Sequence, residues 1–440
     1  MTRLTTNRAN LMLMIVLTVG TGVYIDTKTF LISEETPNIP DSGSNWNRFG
    51  IIENSYLISN LYGETEYLYT SGWSNVRNIS ITKWHTSGRK IWEKTWNDTE
   101  FMSGFWVTDK YIVWSGFRGP STDLGLNYIC VLYKNGTITW ERSWLSDSYY
   151  DILQDIWGDK ESIFIGGITY RNECSSENEV ILMKWNLANE SLEWRQKWNT
   201  TVFNDNVKIW GDADYVYVTG DKDKKGFITK WTENGSLVWN QTVYFSSKNV
   251  YMGGCDDVWG DEEGLYTVHG EHRLKPYPMG CQIYLHAIIV CKWNKEGQQL
   301  WNHTTFFEHN YDDYYCSLGS LPLRISGNSL NIFALVLLRG DLTLYMFNKE
   351  GKLLWDPTHV TNEYRYRVIS LWGHDKDLYI GIDCFLIKWK NVSFEPNIPL
   401  VIIFSSGGVV VVIVISWILI KSMKSMKKPK NEKITNFIAS

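Results

Sequence analysis

The feature that most constrains this chain is a sequence unit that recurs about seven times along it. The stretch "IWGDADYVYVTGDKDKKGFITKWTENGSLVWNQ" at 209–241 shares its first half with stretches at 156, 258 and 371, and its second half with stretches at 81 and 290. The units align on a Lys-Trp dipeptide or its substitutes, at Trp84, Tyr133, Trp185, Trp231, Trp293, Phe347 and Trp389. Similar units of this length fold alike and pool their apolar faces into one core.

Each unit predicts four short β-strands. A strand ending in Trp-Gly-Asp precedes an alternating run such as "YVYVTG", then a strand ending in Lys-Trp, and finally a strand opening "LVWN". Alternating β-branched and aromatic residues are typical of half-buried strands. Five glycines stand where the last tight turn needs positive φ, at Gly88, Gly136, Gly235, Gly297 and Gly351. We therefore predict an all-β fold, a β-propeller of seven four-stranded blades over 44–395, with six or eight blades as alternatives.

The N-terminal side of the repeats predicts how the ring closes. The last unit stops after "FLIKWK" (385–390) and lacks a fourth strand, whereas "SNWNRFG" (44–50) resembles a fourth strand that precedes the first unit. We expect the segment around Trp46 to complete the blade that begins near Leu371, since closure removes open sheet edges. The tryptophans of the Lys-Trp and Leu-x-Trp motifs are predicted to pack between neighbouring blades.

The N-terminal end of the chain indicates export. Residues 10–23 form an apolar run that follows Arg3 and Arg8, which predicts a signal peptide or an uncleaved signal anchor over 1–25. A linker over 26–43 would connect it to the propeller.

The C-terminal end indicates a membrane anchor. Residues 398–420 carry no charge and are long enough for a transmembrane helix. The lysine-rich segment 421–440 then predicts a short cytoplasmic tail, because lysines concentrate on the cytoplasmic side. The expected topology is a single-pass protein of the cell membrane with an extracellular propeller.

Two further features fit an extracellular location. Nine Asn-x-Ser/Thr sequons predict N-glycosylation at Asn78, Asn97, Asn135, Asn189, Asn199, Asn234, Asn240, Asn302 and Asn391. One or two disulfides are expected among Cys255, Cys281, Cys291 and Cys316. The net charge of −5 gives no reason to expect nucleic acid as a partner.

The repeats resemble two propeller-repeat families. "VYVTGDKDKKGFITKWTENGSLVWN" is similar to the repeats of bacterial and archaeal surface β-propeller proteins of the SBBP type, and "ENGSLVWN" and "KEGKLLWD" resemble the tryptophan-docking motif of pyrroloquinoline-quinone-type propellers. The resemblance covers about 44–390. It implies a surface or scaffolding role and brings no shared catalytic residues.

A search for chemistry finds no catalytic residue, no metal ligands and no cofactor site. The adjacent cysteines and the Cys-x-x-Cys-His motif of quinoproteins are absent from the sequence. "DKDKKG" (221–226) begins like a calcium loop, but Lys225 and Thr232 stand where oxygen ligands belong, so we expect a solvated turn. Adjacent acids such as Asp256 and Asp257 would point to opposite faces of a strand.

One positional pattern predicts a binding site. Two residues before the Trp-Gly position, the innermost strands carry polar or small residues, namely Asn60, Gly104, Asp155, Lys208, Asp257 and Ser370. If these residues reach a mouth of the central channel, they form a polar pocket for a sugar, a peptide or a cation. The alternative is that they are ordinary solvated strand ends.

The sequence thus predicts a membrane-anchored extracellular propeller that serves in recognition, adhesion or scaffolding and binds an unknown protein or glycan. Insertions at 170–179 and 272–286 break the repeat and are the loops expected to contact a partner. The alternative is an extracytoplasmic hydrolase or lyase that acts on glycans in the central channel.

Overall fold

A computed structural model describes residues 51–415 apart from 54–56, 74–77, 97–98, 119–125, 172–177, 201–205, 223–224, 244–249, 277–281, 310–322, 339–340, 360–368, 375–376, 383–384, 390–399 and 407–408. The predicted signal segment 1–25, the linker 26–43 and the basic tail 421–440 lie outside the described residues. The propeller repeats belong to one compact unit, Ser44–Ile398.

The first half of the repeats forms three four-stranded sheets that follow a short strand, β1 (Ile51–Glu53). Blade 1 contains β2 (Leu57–Gly63), β3 (Tyr67–Trp73), β4 (Ile79–His85) and β5 (Lys90–Trp96). Blade 2 contains β6 (Thr99–Val107), β7 (Tyr111–Arg118), β8 (Leu126–Tyr133) and β9 (Ile138–Trp144). Blade 3 contains β10 (Tyr150–Gly158), β11 (Ser162–Tyr170), β12 (Asn178–Asn186) and β13 (Ser191–Thr200).

The second half of the repeats forms four further sheets. Blade 4 contains β14 (Val207–Gly211), β15 (Tyr215–Lys222), β16 (Lys225–Thr232) and β17 (Leu237–Val243). Blade 5 contains β18 (Val250–Asp261), β19 (Gly264–Pro276), β20 (Gln282–Trp293) and β21 (Gln299–His309). Blade 6 contains β22 (Leu323–Gly327), β23 (Asn331–Leu338), β24 (Asp341–Asn348) and β25 (Leu353–His359). Blade 7 contains β26 (Ile369–His374), β27 (Asp377–Ile382), β28 (Phe385–Trp389) and β1.

The seven blades close into a ring. The first strand of each blade contacts the first strands of both neighbouring blades, and β26 of blade 7 contacts β2 of blade 1. The antiparallel pair β1–β28, with Ile51 opposite Ile387, adds the N-terminal strand to the last blade. The predicted seven-bladed fold and its N-terminal closure are confirmed, although Trp46 itself lies outside the described residues.

The repeated Lys-Trp and Leu-x-Trp motifs hold several blades to the next. In blade 4, Lys230 Nζ and Trp239 Nε1 both donate to the carbonyl oxygen of Lys295 in the turn of blade 5, at 2.9 and 3.2 Å. The same pair of donors, Lys292 and Trp301, reaches the carbonyl oxygen of Lys349 in blade 6. The predicted packing between blades is also confirmed, because the ring centroids of Trp198 in blade 3 and Trp231 in blade 4 lie 4.9 Å apart.

Two features of the turn require glycine at position 297. Gly297 adopts a φ of 85°, as predicted, which side chains with a Cβ rarely adopt. A Cβ there would also lie 3.1 Å from the indole ring of Trp239 in the preceding blade.

The aspartate of Trp-Gly-Asp begins a tight turn and also joins two blades. Asp212 Oδ1 accepts hydrogen bonds from the amides of Asp214 and Tyr215, as expected for a residue that begins a tight turn. Its other oxygen pairs with Lys295 of blade 5 at 2.9 Å. Sequence analysis found the turn role and missed the ion pair, because the lysine belongs to the neighbouring unit.

The apolar run near the C-terminus contains two strands where the sequence predicts a transmembrane helix over 398–420. β29 (Leu400–Ser406) and β30 (Val409–Ile415) form an antiparallel hairpin in a separate compact unit. The run is rich in valine and isoleucine, which favour strands, and its two strands pair with each other along one edge. In the described part of the chain, no helical segment has the length and apolar character to span a bilayer.

The disulfide prediction is wrong for two of its four cysteines. Cys255 and Cys291 are buried free thiols on β18 and β20, while Cys281 and Cys316 lie outside the described residues. Burial raises the pKa of the Cys291 thiol to about 12, so this side chain stays protonated and packs as a small apolar group.

Candidate functional site

The candidate site is a cavity of about 130 Å³ at the centre of the ring, lined by the first strands of all seven blades. The five polar residues predicted for the channel mouth, Asn60, Asp155, Lys208, Asp257 and Ser370, all line it. The structure therefore brings these residues together. Gly104, the equivalent residue of blade 2, is buried in β6.

The charged residues of the cavity alternate in sign over four consecutive blades. Asp155, Lys208, Asp257 and Arg324 occupy equivalent positions in blades 3, 4, 5 and 6, and Ser370 and Asn60 continue the ring through blades 7 and 1. Sequence analysis missed Arg324 because blade 6 has Ser326 where most other blades have tryptophan. The alternating run "LRISGNSLNIFALVL" (323–337) was the only signal that could have identified it.

The two aspartates of this arc also hold adjacent blades together. Asp155 Oδ2 accepts a hydrogen bond from the Ile209 amide of blade 4 at 3.0 Å. Asp257 Oδ2 accepts one from the Ile325 amide of blade 6 at 2.9 Å, and its Oδ1 accepts one from the Val258 amide at 3.0 Å. These carboxylates are therefore fixed in place and partly satisfied.

The two cationic side chains of the arc make fewer hydrogen bonds than its aspartates do. Lys208 makes no hydrogen bond and no ion pair within 4 Å to any described residue, and Arg324 donates only from Nη1, to the Leu323 carbonyl at 2.8 Å. Both side chains are partly exposed. Most N–H donors of these two side chains therefore have no acceptor among the described protein groups.

Aromatic side chains complete the wall. Tyr62 lies 5.0 Å from Trp106 and 4.3 Å from Trp372, measured between ring centroids. Each Trp of a Trp-Gly-Asp motif packs on the motif glycine of the next blade, as Trp210 does on Gly260. At blade 6 the aromatic series is interrupted by Ser326, whose Oγ accepts a hydrogen bond from the Gly373 amide at 3.0 Å.

Two adjacent carboxyl groups have raised pKa values. Burial raises the pKa of Asp257, and the nearby charges of Arg324 and Lys208 oppose that rise. Asp256 is 6 % exposed at a β-bulge, where its Oδ2 accepts a hydrogen bond from the Gly270 amide at 2.7 Å. Burial raises its pKa to about 7.

The raised pKa of Asp256 predicts a pH effect on stability. Because the folded state binds the proton more tightly than the unfolded chain does, stability from this group is gained as the pH falls from 7 towards 4. Relative to Asp256→Asn, the wild type should gain about 2 kcal/mol of unfolding free energy between pH 7 and 5. Urea denaturation of both proteins checks this. The exposed control Asp214→Asn should show no such trend, and a flat difference for Asp256→Asn would contradict the assignment.

The predicted glycosylation sites lie mostly on exposed turns and outer strands. Asn135, Asn189, Asn199, Asn234, Asn240 and Asn302 are exposed, and Asn78 is half-buried. Asn97 and Asn391 lie outside the described residues. Whether sugars are attached stays a prediction.

The insertions predicted to contact a partner lie at the opposite end of the blades from the Trp-Gly-Asp turns. Antiparallel order places the turns after the first and third strands at one end, and the connection between the second and third strands at the other. Tyr170 and Asn178, which flank one insertion, lie at that second end. Residues 172–177 and 277–281 of the insertions themselves are outside the described residues.

Two further predictions concern ions. The expectation of a solvated turn at 221–226 is wrong for Asp221, which is 4 % exposed because it packs against Gly254 of blade 5. Among the described residues, no three His, Cys, Asp or Glu side chains are grouped as a metal site.

Comparisons with known proteins show similarity in architecture only. No family model and no curated protein matches the chain. The β-propeller domain of the Trilobed protease from Pyrococcus furiosus is 9 % identical, with a TM-score of 0.41, over 77 % of this chain and 99 % of that one. The WD40 domain of Toxoplasma gondii coronin is 10 % identical, with a TM-score of 0.44, over 78 % and 85 %. The polysaccharide lyase Uly1 is 11 % identical, with a TM-score of 0.39, over 84 % and 96 %.

The chain has a seven-bladed β-propeller fold. The seven four-stranded sheets of the chain itself show this fold. The similar structures, with their low TM-scores, add no argument about activity. The resemblance to SBBP-type and pyrroloquinoline-quinone-type repeats stays a prediction.

Proposed function

We propose that this protein is a membrane-anchored extracellular recognition module, acting in adhesion or scaffolding, whose ligand binds at the mouth of the central channel. The supporting observation is the cavity itself, to which all seven blades contribute. Its lining combines charged residues of blades 3 to 6, the neutral polar residues Ser370 and Asn60, and aromatic walls. A concave site with a few placed polar groups on a rigid scaffold is typical of ligand binding.

Binding fits the cavity better than catalysis does. Glycoside hydrolysis needs two carboxyl groups directed at the substrate. Here Asp155 and Asp257 both accept hydrogen bonds from backbone amides that position adjacent blades. The raised pKa of Asp257 is the one observation that favours the alternative, a glycan hydrolase or lyase, because a general acid must hold its proton.

The proposal includes membrane anchoring through 398–420. A bilayer offers no water to the unpaired edges of a hairpin, whereas a helix satisfies its backbone within one segment, so a helix is expected there in lipid. The tail 421–440 would then lie in the cytoplasm. Protease treatment of intact cells that removes the propeller and spares a C-terminal epitope tag supports this topology; a digested tag contradicts it.

A pair of lysine variants tests the binding site. The full-length wild type is probed on glycan and protein arrays beside Lys208→Met and Lys222→Met. Lys208 lines the cavity without a partner among the described residues, so its loss should weaken ligand binding by about tenfold or more while leaving the fold intact. Lys222, exposed at the far end of β15, is the matched control. Ligands retained fully by Lys208→Met would place the site elsewhere, and glycan cleavage lost in Asp257→Asn would favour the enzyme.

A further inference from the structure

The charge distribution within the cavity narrows the class of ligand, an inference that rests on the proposed function. We propose that the channel mouth binds an acidic saccharide, with the carboxylate held by Arg324 and Lys208 and the sugar hydroxyls facing Asn60.

Two cationic side chains of the cavity have N–H donors that the described protein groups leave unused. A guanidinium has five N–H donors and an ammonium has three. Among the described residues, Arg324 uses one group, Nη1, and Lys208 uses none. The carboxylates beside them already accept from amides of Ile209, Val258 and Ile325. The unused groups that remain are N–H donors on cationic side chains. Such donors suit a carboxylate, which a guanidinium can bind through two parallel hydrogen bonds.

Blade 6 is where a ligand can reach the unused donors of Arg324. Ser326 replaces the aromatic residue that most other blades place beside the channel, so blade 6 itself contributes no aromatic ring next to Arg324. A ligand group there meets a small side chain beside the Trp259 indole, which packs on Gly327. The cavity of about 130 Å³ is close to the roughly 150 Å³ of a protein cavity that holds one benzene ring, a space comparable to one sugar ring.

The opposite side of the ring favours a hydroxylated ligand over an acidic peptide side chain. Ser370 also lines this side, but its Oγ is enclosed beside Gly381. Asn60 lies in the adjacent blade, and its Nδ2 donates to Ser71 Oγ at 3.0 Å and to Ser59 Oγ at 3.4 Å, which leaves the carbonyl oxygen as an acceptor for a ligand. An aliphatic Asp or Glu side chain would leave this oxygen unsatisfied, at a cost that a sugar hydroxyl avoids.

Acidity of the medium should strengthen this binding. Asp257 lines the cavity with Arg324, Lys208 and Asp155, while Asp256 is buried against the Gly270 amide, and burial raises the pKa of Asp257. As Asp257 gains a proton on acidification, the arc gains net positive charge while a sugar carboxylate, with a pKa of about 3.5, stays ionised. Affinity is expected to rise as the pH falls from 7.5 to about 5 and to fall when the sugar itself protonates.

Matched probes test the inference on the full-length chain. Calorimetric titration compares D-glucuronate, its neutral methyl ester, D-glucose and N-acetyl-glutamate on the wild type, Arg324→Gln and Lys208→Met. Glucuronate should bind at least tenfold more tightly than the ester and glucose, and both variants should remove that preference. Circular dichroism and the unfolding midpoint of each variant establish that it is folded.

The outcomes separate the two proposals. Equal binding of glucose and glucuronate that is still weakened by Lys208→Met would overturn the acidic ligand and keep the channel site. Tighter binding of N-acetyl-glutamate than of glucuronate would assign the site to acidic peptides and overturn the saccharide. No glucuronate binding at millimolar concentration would also overturn the inference. Glucuronate binding that neither variant changes would overturn the channel site as well.

Discussion

Replacing Trp239 by alanine is expected to lower the free energy of unfolding by about 3 kcal/mol. The indole packs on Gly297 of the next blade and donates to the Lys295 carbonyl at 3.2 Å. Alanine would leave a cavity between blades 4 and 5 and remove one of the two donors to that carbonyl. The midpoint of urea denaturation, followed by circular dichroism, measures the loss.

Two variants on the same strand separate packing from hydrogen bonding. Trp239→Phe keeps most of the ring and loses only the N–H, so it should cost about 1 kcal/mol. Leu237→Ala removes a side chain that is 50 % exposed and should change stability by less than about 0.5 kcal/mol. Equal costs for Trp239→Ala and Leu237→Ala would show that the indole does not hold the blades together.

Removing the pairing of β1 should open the ring. Replacing Ile51-Ile52-Glu53 by Pro-Gly-Pro takes away strand amides and leaves β28 as an exposed edge. We expect a loss of about 3 kcal/mol or more, with early exchange of the amide hydrogens in blade 7. Hydrogen–deuterium exchange resolved by peptide measures this directly.

A conservative replacement provides the control for closure. Val-Val-Gln at 51–53 retains the strand and should preserve both stability and the slow exchange of β26 to β28. If Pro-Gly-Pro leaves blade 7 as protected as the control does, the N-terminal strand does not close the ring.

Much of the fold could be predicted because each unit repeats the same local signals. Gly297 marks the left-handed turn and Trp239 the strand after it, and both recur at fixed spacing. Strand alternation places the polar residues two before Trp-Gly on one face of their strands, and Asp155 and Lys208 of this set both line the cavity. Local sequence periodicity determines which face of a strand a residue occupies.

Contacts between units could not be predicted from local sequence periodicity. The donation from Lys230 to the Lys295 carbonyl joins residues 65 positions apart in different blades. Arg324 belongs to a unit that lacks the tryptophan on which the alignment depends, and Asp221 lies in a hydrophilic stretch although blade 5 covers it. The composition of the uncharged run at 398–420, rich in valine and isoleucine, is compatible with both strand and helix.

The central claim is that the ligand binds at the channel mouth of a closed ring. Hydrogen–deuterium exchange of the full-length chain, with and without the ligand that the arrays identify, tests it most directly. The account predicts slower exchange in the peptides that contain β14, β18 and β22, and no change at 172–177 or 277–281. Protection confined to those insertions, with the inner strands unchanged, would contradict it.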